Sequence, residues 1–309
     1  MELPTKVQII EVGPRDGFQI EPAFIPTEQK IRIINKLSET GLRRIEATSF
    51  VHPKAIPQLA DAAEVMAGIT RKEGVSYMAL VPNVKGVDRA LQAAVEEINL
   101  VVSASESHNK NNMNMSIAES LKAFREAAKI ALGNGMRITG SIATAFGCPF
   151  EGWVSPRKVE EIAQELLAMG VHEVSLADTT GMADPSQVIG VVSRLRHQFK
   201  DVEFRLHFHN TRGAGMANVL AALFEGITIF DGSIGGLGGC PYAPGATGNI
   251  PTEDMVHMLE SMGIDTGIDL PKLVDCAKMV QELLGRELPG QVMKAGTVPW
   301  LTKSRQTDE

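Results

Sequence analysis

The sequence predicts a single (β/α)8 TIM barrel of class α/β, with an additional helical segment at its C-terminal end. Three observations carry this. Short apolar runs alternate with amphipathic runs eight times, the pattern of repeated βα units. The 309 residues accommodate a barrel of about 250 residues and a short extension. No linker or low-complexity block interrupts the alternation, so one catalytic-sized domain is expected, with the barrel over about 5–264 and the extension over about 265–309. An open doubly wound sheet is the other arrangement that such alternation allows.

The first strand is expected from Val7 to Val12, leading into Gly13-Pro14-Arg15-Asp16-Gly17. A helix follows, with Thr27 as its cap and Ile31, Ile34 and Leu37 on one face, and it stops at Gly41. The second strand covers about Arg44 to Ser49, with a helix near Lys54 to Ala67. The third covers about Ser76 to Val81, with a helix from about Val84 to Val95. The fourth, about Ile98 to Val102, runs into a polar stretch over 103–114 without Pro or Gly, then a long helix to about Leu132. That stretch is too long for a turn and reads as part of a site mouth.

The fifth strand covers about Arg137 to Thr144, and its helix opens on Ser155-Pro156 and ends before Gly170. The sixth, about Glu173 to Ala177, enters Asp178-Thr179-Thr180-Gly181, and Asp184-Pro185 opens the next helix. The seventh, about Glu203 to Phe208, carries His207 and His209 and precedes a helix near Ala214 to Phe224. The eighth, Ile227 to Asp231, is followed by a glycine-rich segment and a helix over Pro251 to Leu259. From Pro271 onward, Leu273, Ala277, Val280 and Leu284 mark a further helix packing on the outside, and 303–309 is expected to fray.

Hydrophobic content of 44% and charged content of 22% are ordinary for a globular enzyme. A net charge of −7 argues against nucleic acid or an anionic membrane as partner, though not against a phosphate-bearing ligand. No apolar run approaches the roughly 18 residues of a membrane span, and the first strand begins too early for a leader peptide to be expected. Three scattered cysteines suit a reducing compartment and neither a disulfide framework nor a structural zinc site. A cytoplasmic location is the expectation, with a homodimer or higher homo-oligomer as the commonest form.

Ser233 to Asn249 holds six glycines in 17 residues and one thiol, Cys240, beside Pro241. Glycine-rich runs are commonly flexible surface loops. At the end of a strand, and bearing a thiol, this one reads as an active-site lid with Gly236, Gly238 and Gly239 as hinges.

In a barrel, polar residues that end the strands converge on one face whatever their separation in sequence. Here they include Arg15, Asp16, Glu46, Glu106, Asp178, His207, His209, Cys240 and Asn249. Residues two apart on a strand point the same way, so His207 and His209 can face one point. Packed, hydrogen-bonded histidines are the plain alternative. With the Asp16 carboxylate nearby, the pair reads as an open divalent-cation site. The ligand mix does not choose cleanly among magnesium, manganese, zinc and cobalt; magnesium or manganese is the first expectation.

Arg15 beside Asp16 is either a surface ion pair or a fixed cation for a developing oxyanion. Asp178 is a candidate base, or a turn cap in Asp-Thr-Thr-Gly. Glu46 reads as the residue that holds an arginine, and Cys240 as a proton-transferring thiol in place of a buried inert one.

These residues resemble the 3-hydroxy-3-methylglutaryl-CoA lyases, metal-dependent TIM-barrel lyases. The similar segments are Glu11-Val-Gly-Pro-Arg-Asp-Gly17, Ile45-Glu-Ala-Thr-Ser-Phe-Val51, Val81-Pro-Asn83, Ala104-Ser-Glu106 and Gly147-Cys-Pro-Phe-Glu-Gly152. Asp178-Thr179 with Gly181, and Gly236-Leu-Gly-Gly-Cys-Pro-Tyr-Ala243 through Gly248-Asn249, complete a match spanning nearly the whole chain. The resemblance implies Asp16, His207, His209 and Asn249 as metal ligands, Arg15 as enolate stabiliser, Cys240 as lid thiol and Asp178 as catalytic partner. It implies an acyl-CoA substrate; Gln19, Glu106 and Thr179 are candidates to contact it, as is Arg212, a cation that this chain adds near the site where the family pattern has tyrosine. Asn83 and Lys85 are weaker candidates for coenzyme A.

The implied reaction is retro-Claisen cleavage of a 3-hydroxy-3-substituted acyl-CoA, giving acetyl-CoA and acetoacetate from the methylglutaryl compound. Three departures lie near the expected pocket: Phe18-Gln-Ile20 for Leu-Gln-Asn, Asn210-Thr-Arg-Gly213 for Asp-Thr-Tyr-Gly, and Thr139-Gly-Ser141 for Arg-Gly-Tyr. They leave the bond-breaking set intact and open the acyl group to alternatives such as citramalyl-CoA or a longer 3-hydroxyglutaryl-CoA. A condensing acyltransferase shares the barrel and metal triad but lacks the Gly-Leu-Gly-Gly-Cys-Pro-Tyr loop. A non-catalytic acyl-CoA-binding barrel would have no need of the ionisable set.

Overall fold

The computed structural model describes residues 3–239 and 248–298. In chain order the strands are β1 (Gln8–Glu11), β2 (Arg44–Ser49), β3 (Ser76–Leu80), β4 (Glu97–Ser103), β5 (Arg137–Ala143), β6 (Gly147–Cys148), β7 (Gly152–Trp153), β8 (Glu173–Asp178), β9 (Glu203–Phe208) and β10 (Ile229–Gly232). Eight of them form a closed barrel in the order β1-β10-β9-β8-β5-β4-β3-β2. Parallel pairing of β1 with β10, Gln8 opposite Ile229, closes the ring and rules out the open sheet. β6 and β7 make a small antiparallel hairpin outside the barrel, which the sequence pattern does not announce.

Helices α1 (Thr27–Ser38), α2 (Ala62–Gly68), α3 (Val84–Gln92), α4 (Glu106–Met113) and α5 (Ile117–Gly133) surround the first half. α6 (Pro156–Leu167), α7 (Pro185–Gln198), α8 (Gly215–Phe224) and α9 (Thr252–Ser261) surround the second. The added helix α10 (Leu270–Leu284) packs against α1 and α9, and a short α11 (Val292–Ala295) follows. Among the described residues no helix is long and apolar enough to cross a membrane.

Period-two alternation separates two interiors. Outward residues such as Phe204, Leu206 and Phe208 join the main core between strands and helices. Inside the barrel the apolar set is small: Ile10, Val12, Met78 and Ile229. Charged and polar groups supply much of the rest, where barrels of this type are usually filled by branched aliphatics. Arg44 of β2 bonds Glu173 Oε2 at 2.6 Å and also Glu97, and Thr139 Oγ1 donates to Glu97 at 2.8 Å. Buried charges persist only when paired in this way. The lower barrel is therefore an ionic core.

Several expectations need correction. The polar stretch over 103–114 is mostly helix: Ser105 caps α4 by accepting from His108 N at 3.1 Å, and Asn114 ends it in the left-handed region. Asn109 fixes it by bonding Ser103 N, Met115 O and Ser120 Oγ, contacts that outweigh the poor helix propensity of asparagine. The helix expected near Lys54 begins only at Ala62, after a 3-10 turn at Pro57–Leu59, because Pro57 keeps Ile56 extended. Thr27 is not a cap: it is already helical, and its hydroxyl donates to Asp61 Oδ2 at 2.8 Å, beside the buried Lys30–Asp61 pair. The third helix ends at Gln92, short of Val95, with Ala94 at φ 52°.

Candidate active site

The chain leaves β1 through a single π-helical turn, Gly13–Gly17, begun by Pro14. Val12 O accepts from both Arg15 N (3.1 Å) and Asp16 N (2.7 Å), which fixes both side chains over the strand ends. Arg15 and Asp16 are buried, so they are not a surface pair. Arg15 Nε donates to Glu46 Oε2 at 2.7 Å and its Nη1 to Asp16 Oδ1 at 2.5 Å. Glu46 comes from β2, so two strands grip one guanidinium. Burial opposes the charge of Arg15, but Glu46 and Asp16 outweigh it and raise its pKa further.

His207 and His209, two apart across the end of β9, place their Nε2 atoms 3.1 Å apart. Asp16, His207 and His209 each offer a ligand atom within 4.8 Å of the others. Adjacent nitrogen ligands at about 2.1 Å from one ion stand about 3 Å apart when at right angles, so the spacing suits a shared cation. Burial, helped by His207 and Arg15 and opposed by Asp16, drives His209 down to about 3, leaving a neutral imidazole able to ligate. Burial would raise Asp16, but Arg15, the two histidines and Asn249 outweigh it and hold it at about 2, as a carboxylate.

Asn249 reaches the site by pairing. It forms an antiparallel bridge with His209, and Asn210 N donates to Gly248 O at 2.9 Å. Its Nδ2 donates to Asp16 Oδ2 (2.7 Å) and Leu237 O (2.9 Å), while its buried Oδ1 has no hydrogen-bond partner among the described residues. Both neighbours of Nδ2 only accept, so the amide cannot turn over without placing oxygen against oxygen. An orphaned buried oxygen beside a three-ligand cluster fits a fourth ligand. The donor set of two imidazoles, a carboxylate and an amide oxygen fits a divalent cation.

Asp178, at the end of β8, has two roles split between its oxygens. Oδ1 accepts from Met182 N (2.8 Å) and Ala183 N (3.2 Å), as the turn-cap alternative requires. Oδ2 is buried with no hydrogen-bond partner among the described residues. Burial lifts its pKa to about 6 against the lowering effect of those amides, His207 and Arg212, a range suited to proton transfer.

The other candidates are partly committed to structure. Gln19 donates to Asp16 Oδ1 at 3.1 Å. Thr179 Oγ1 accepts from Thr144 N at 3.0 Å, holding Thr144 at φ 54°. Glu106 lies in α4, accepts from Ile117 N at 3.2 Å and faces Lys110. Exposed Arg212 donates to Thr180 O (3.0 Å) and Gly181 O (2.9 Å). Asn83 caps α3 by accepting from Gly86 N at 3.1 Å. Of the glycine segment, Gly236 and Gly238 have φ 74° and 105°. Cys240 and the rest of 240–247 lie outside the described residues.

Sequence reasoning missed Asp231, which β-pairing sets opposite His207 and whose Oδ2 lies 3.1 Å from His207 Nδ1. It also missed Asn99 and Glu11. Asn99 Nδ2 donates to Glu46 Oε1 at 3.1 Å; Glu11 accepts from Gly13 N at 2.7 Å and Ile234 N at 2.9 Å, tying the Arg15 turn to the glycine segment. An inward-facing position on a barrel strand was the available signal for Asp231 and Asn99.

The HMGL-like family model matches residues 6–280. The chain is 49% identical over 291 residues to hydroxymethylglutaryl-CoA lyase YngG of Bacillus subtilis, covering 94% of this chain and 97% of that one. It is 43% identical over 295 residues to a 3-hydroxy-3-isohexenylglutaryl-CoA/hydroxymethylglutaryl-CoA lyase of Pseudomonas aeruginosa, covering 96% and 98%. An HMG-CoA lyase structure from Acinetobacter baumannii, in complex with coenzyme A and 3-methylmalate, superposes with a TM-score of 0.93 at 49% identity, covering 97% and 98%. With the barrel and the Asp–His cluster in place, the chain belongs to the HMGL-like family, the hydroxymethylglutaryl-CoA lyases.

Proposed function

We propose that this protein cleaves 3-hydroxy-3-methylglutaryl-CoA to acetyl-CoA and acetoacetate by a retro-Claisen reaction. The observation that carries it is the buried Asp16–His207–His209 cluster set against the Arg15 guanidinium, in a chain nearly half identical to named lyases of this type. Asp16, His207, His209 and Asn249 would hold the cation, with magnesium or manganese favoured by the hard oxygen donors. When bound, a divalent cation lowers the pKa of a hydroxyl it holds, as it does for water.

Asp178 Oδ2, without a partner among the described residues and on a carboxyl raised to about 6, takes the proton of the C3 hydroxyl. As the C2–C3 bond breaks, the C3 oxygen becomes the ketone and the electron pair passes into the acetyl-CoA enolate. Arg15, fixed by Glu46, neutralises the enolate oxygen. Cys240 delivers a proton to C2 from the lid segment. Gln19, Thr179 and Arg212 line the approach, and Arg212 offers a fixed cation beside the Asp178 loop for an anionic part of the substrate. The barrel and its C-terminal helices act as one catalytic unit, in the cytoplasm, as a homodimer or higher homo-oligomer.

A longer 3-substituent is the second reading. It is favoured by the isohexenylglutaryl activity in the name of the Pseudomonas relative.

The deciding experiment is a metal-supplemented cleavage assay across a panel of 3-hydroxyacyl-CoAs, with products identified. Turnover of the methylglutaryl compound, lost on chelation and restored by Mg2+ or Mn2+, is expected. A rate unchanged by chelation removes the metal, and full activity in Cys240→Ala removes the thiol.

A further inference from the structure

One buried cation inside the barrel has no place in the mechanism above. Arg205 lies on β9 two residues before His207, points inward and is 1% exposed. Its Nε is 3.4 Å from Asp231 Oδ1, its Nη1 is 3.3 Å from Glu173 Oε1, and its Nη2 donates to Ser141 Oγ at 3.3 Å. We propose that Arg205 is a positioning residue that holds the metal-facing His207 and the enolate-facing Arg15 in one register. The inference rests on the lyase reading, and goes beyond it by assigning a role to Arg205 and Ser141.

A guanidinium has only donors and stays charged, so it fixes the direction of every hydrogen bond that leads away from it. On one side its charge faces the Asp231 carboxylate as an ion pair, at 3.4 Å and without a hydrogen bond, and that carboxylate can only accept. His207 Nδ1, 3.1 Å from Asp231 Oδ2, must then carry the proton, leaving the Nε2 lone pair for the cation. On the other side Arg205 donates to Ser141 Oγ, so the single hydroxyl proton of Ser141 goes to Asn99 Oδ1 at 2.8 Å. With its oxygen engaged, Asn99 turns Nδ2 to Glu46 Oε1 at 3.1 Å. Glu46 Oε2 is left to receive Arg15 Nε at 2.7 Å.

The path crosses the barrel interior from β10 through β9, β5 and β4 to β2; its first link is an ion pair, and each hydrogen bond beyond Arg205 has one permitted polarity. Removing the guanidinium frees the hydroxyl to turn, the amide to flip and the imidazole to change tautomer. The residues found on β5 in this chain suit that path. Tyrosine in place of Ser141 would fill the space through which Arg205 reaches Asn99.

Two variants separate this role from general core packing. Mn2+ titration of the metal-free protein gives affinity, 15N-histidine NMR gives the His207 tautomer, and steady-state cleavage gives kcat and KM. Arg205→Met should weaken Mn2+ binding about 10- to 100-fold, the usual effect of losing the support behind a ligand, and give mixed His207 tautomers. Ser141→Ala breaks only the branch toward Arg15. It should leave Mn2+ affinity and tautomer unchanged while lowering kcat about tenfold at nearly constant KM, with Ser141→Thr restoring the rate.

Should Arg205→Met fail to fold, Arg205→Lys keeps the charge but not the fork, and should show the same loss of tautomer purity. Wild-type Mn2+ affinity with a single tautomer in the Arg205 variant overturns the inference. So does a Ser141→Ala protein that loses Mn2+ as severely as the Arg205 variant. A wild-type protein that binds no Mn2+ overturns the proposed function and this inference together.

Discussion

Asn249 Nδ2 donates to Asp16 Oδ2 at 2.7 Å, although 233 positions separate the two residues. The bond ties the end of the glycine segment to the turn that leaves the first strand, and leaves Asn249 Oδ1 as the spare acceptor. Asn249→Ala should weaken divalent-cation binding at least about tenfold, since it removes both a ligand and the clamp on another. Asn249→Asp should lower the melting temperature of the metal-free protein, because a second carboxylate then faces Asp16 and Leu237 O. Thermal melts with and without Mn2+ test this; an Asn249→Asp protein as stable as wild type without metal contradicts the geometry.

Gly238 leaves no room for a side chain beside the cation site. Its φ is 105°, and a Cβ there would overlap Asn249 Nδ2 and sit 3.2 Å from Asp16 Oδ2. Gly238→Ala should cost about 1–3 kcal/mol and weaken the cation site as well. Gly213→Ala is the control: φ is 75° but no atom of the described residues lies within 4 Å of the added carbon. It should lower stability through the backbone alone and leave metal affinity intact. Equal metal affinity in both variants would refute the contact argument.

The pH profile should report Asp178. With its pKa lifted to about 6, mainly by burial, kcat/KM should rise with pH through about 6 and level off above, as the base loses its proton. Asp178→Asn should abolish that limb and lower the rate by roughly 10²–10⁴. Arg212 lowers the Asp178 pKa, so Arg212→Gln should move the midpoint upward. A downward shift would mean that Arg212 does not act on this carboxyl.

Stability should have its own pH dependence, from two buried glutamates. Burial raises Glu11 from 4.5 to about 7 and Glu253 from 4.5 to about 8. Between those limits the folded protein keeps protons that the unfolded chain releases, so stability is greatest below about 4.5 on this account and falls as pH rises through about 7 and 8. The melting temperature should therefore drop between pH 6 and 9. Glu253→Gln, which retains an acceptor for Gly235 N, should narrow that drop by at least about 2 °C, the shift that roughly 1 kcal/mol produces in a chain of this size. An unchanged drop would exclude Glu253 as its source.

Most of the architecture was readable along the chain, because strands and helices advertise themselves by local period. Arg44–Ser49 and Glu203–Phe208 have the predicted limits, and Asp184-Pro185 opens α7 as expected, with Asp184 accepting from Gln187 N at 2.9 Å. Local reading failed where side chains took over from propensity. The seven successive polar residues from Glu106 to Asn112 form a helix because asparagine and serine side chains bond it to neighbouring turns.

The site divides in the same way. Local pattern is enough to nominate Arg15, Asp16, His207 and His209, because neighbours in sequence share a turn or one face of a strand. Only barrel closure brings β2, β4, β5 and β10 together, and so gives Glu46, Asn99, Ser141 and Asp231 their partners. Burial in that closed space then decides chemistry that residue type leaves open: a neutral His209, an ionised Asp16 and an Asp178 poised near 6. Residue type and spacing are properties of the chain. Which hydrogen bonds are forced, and which charges are desolvated, depends on groups far apart in sequence that meet only after the eight strands close.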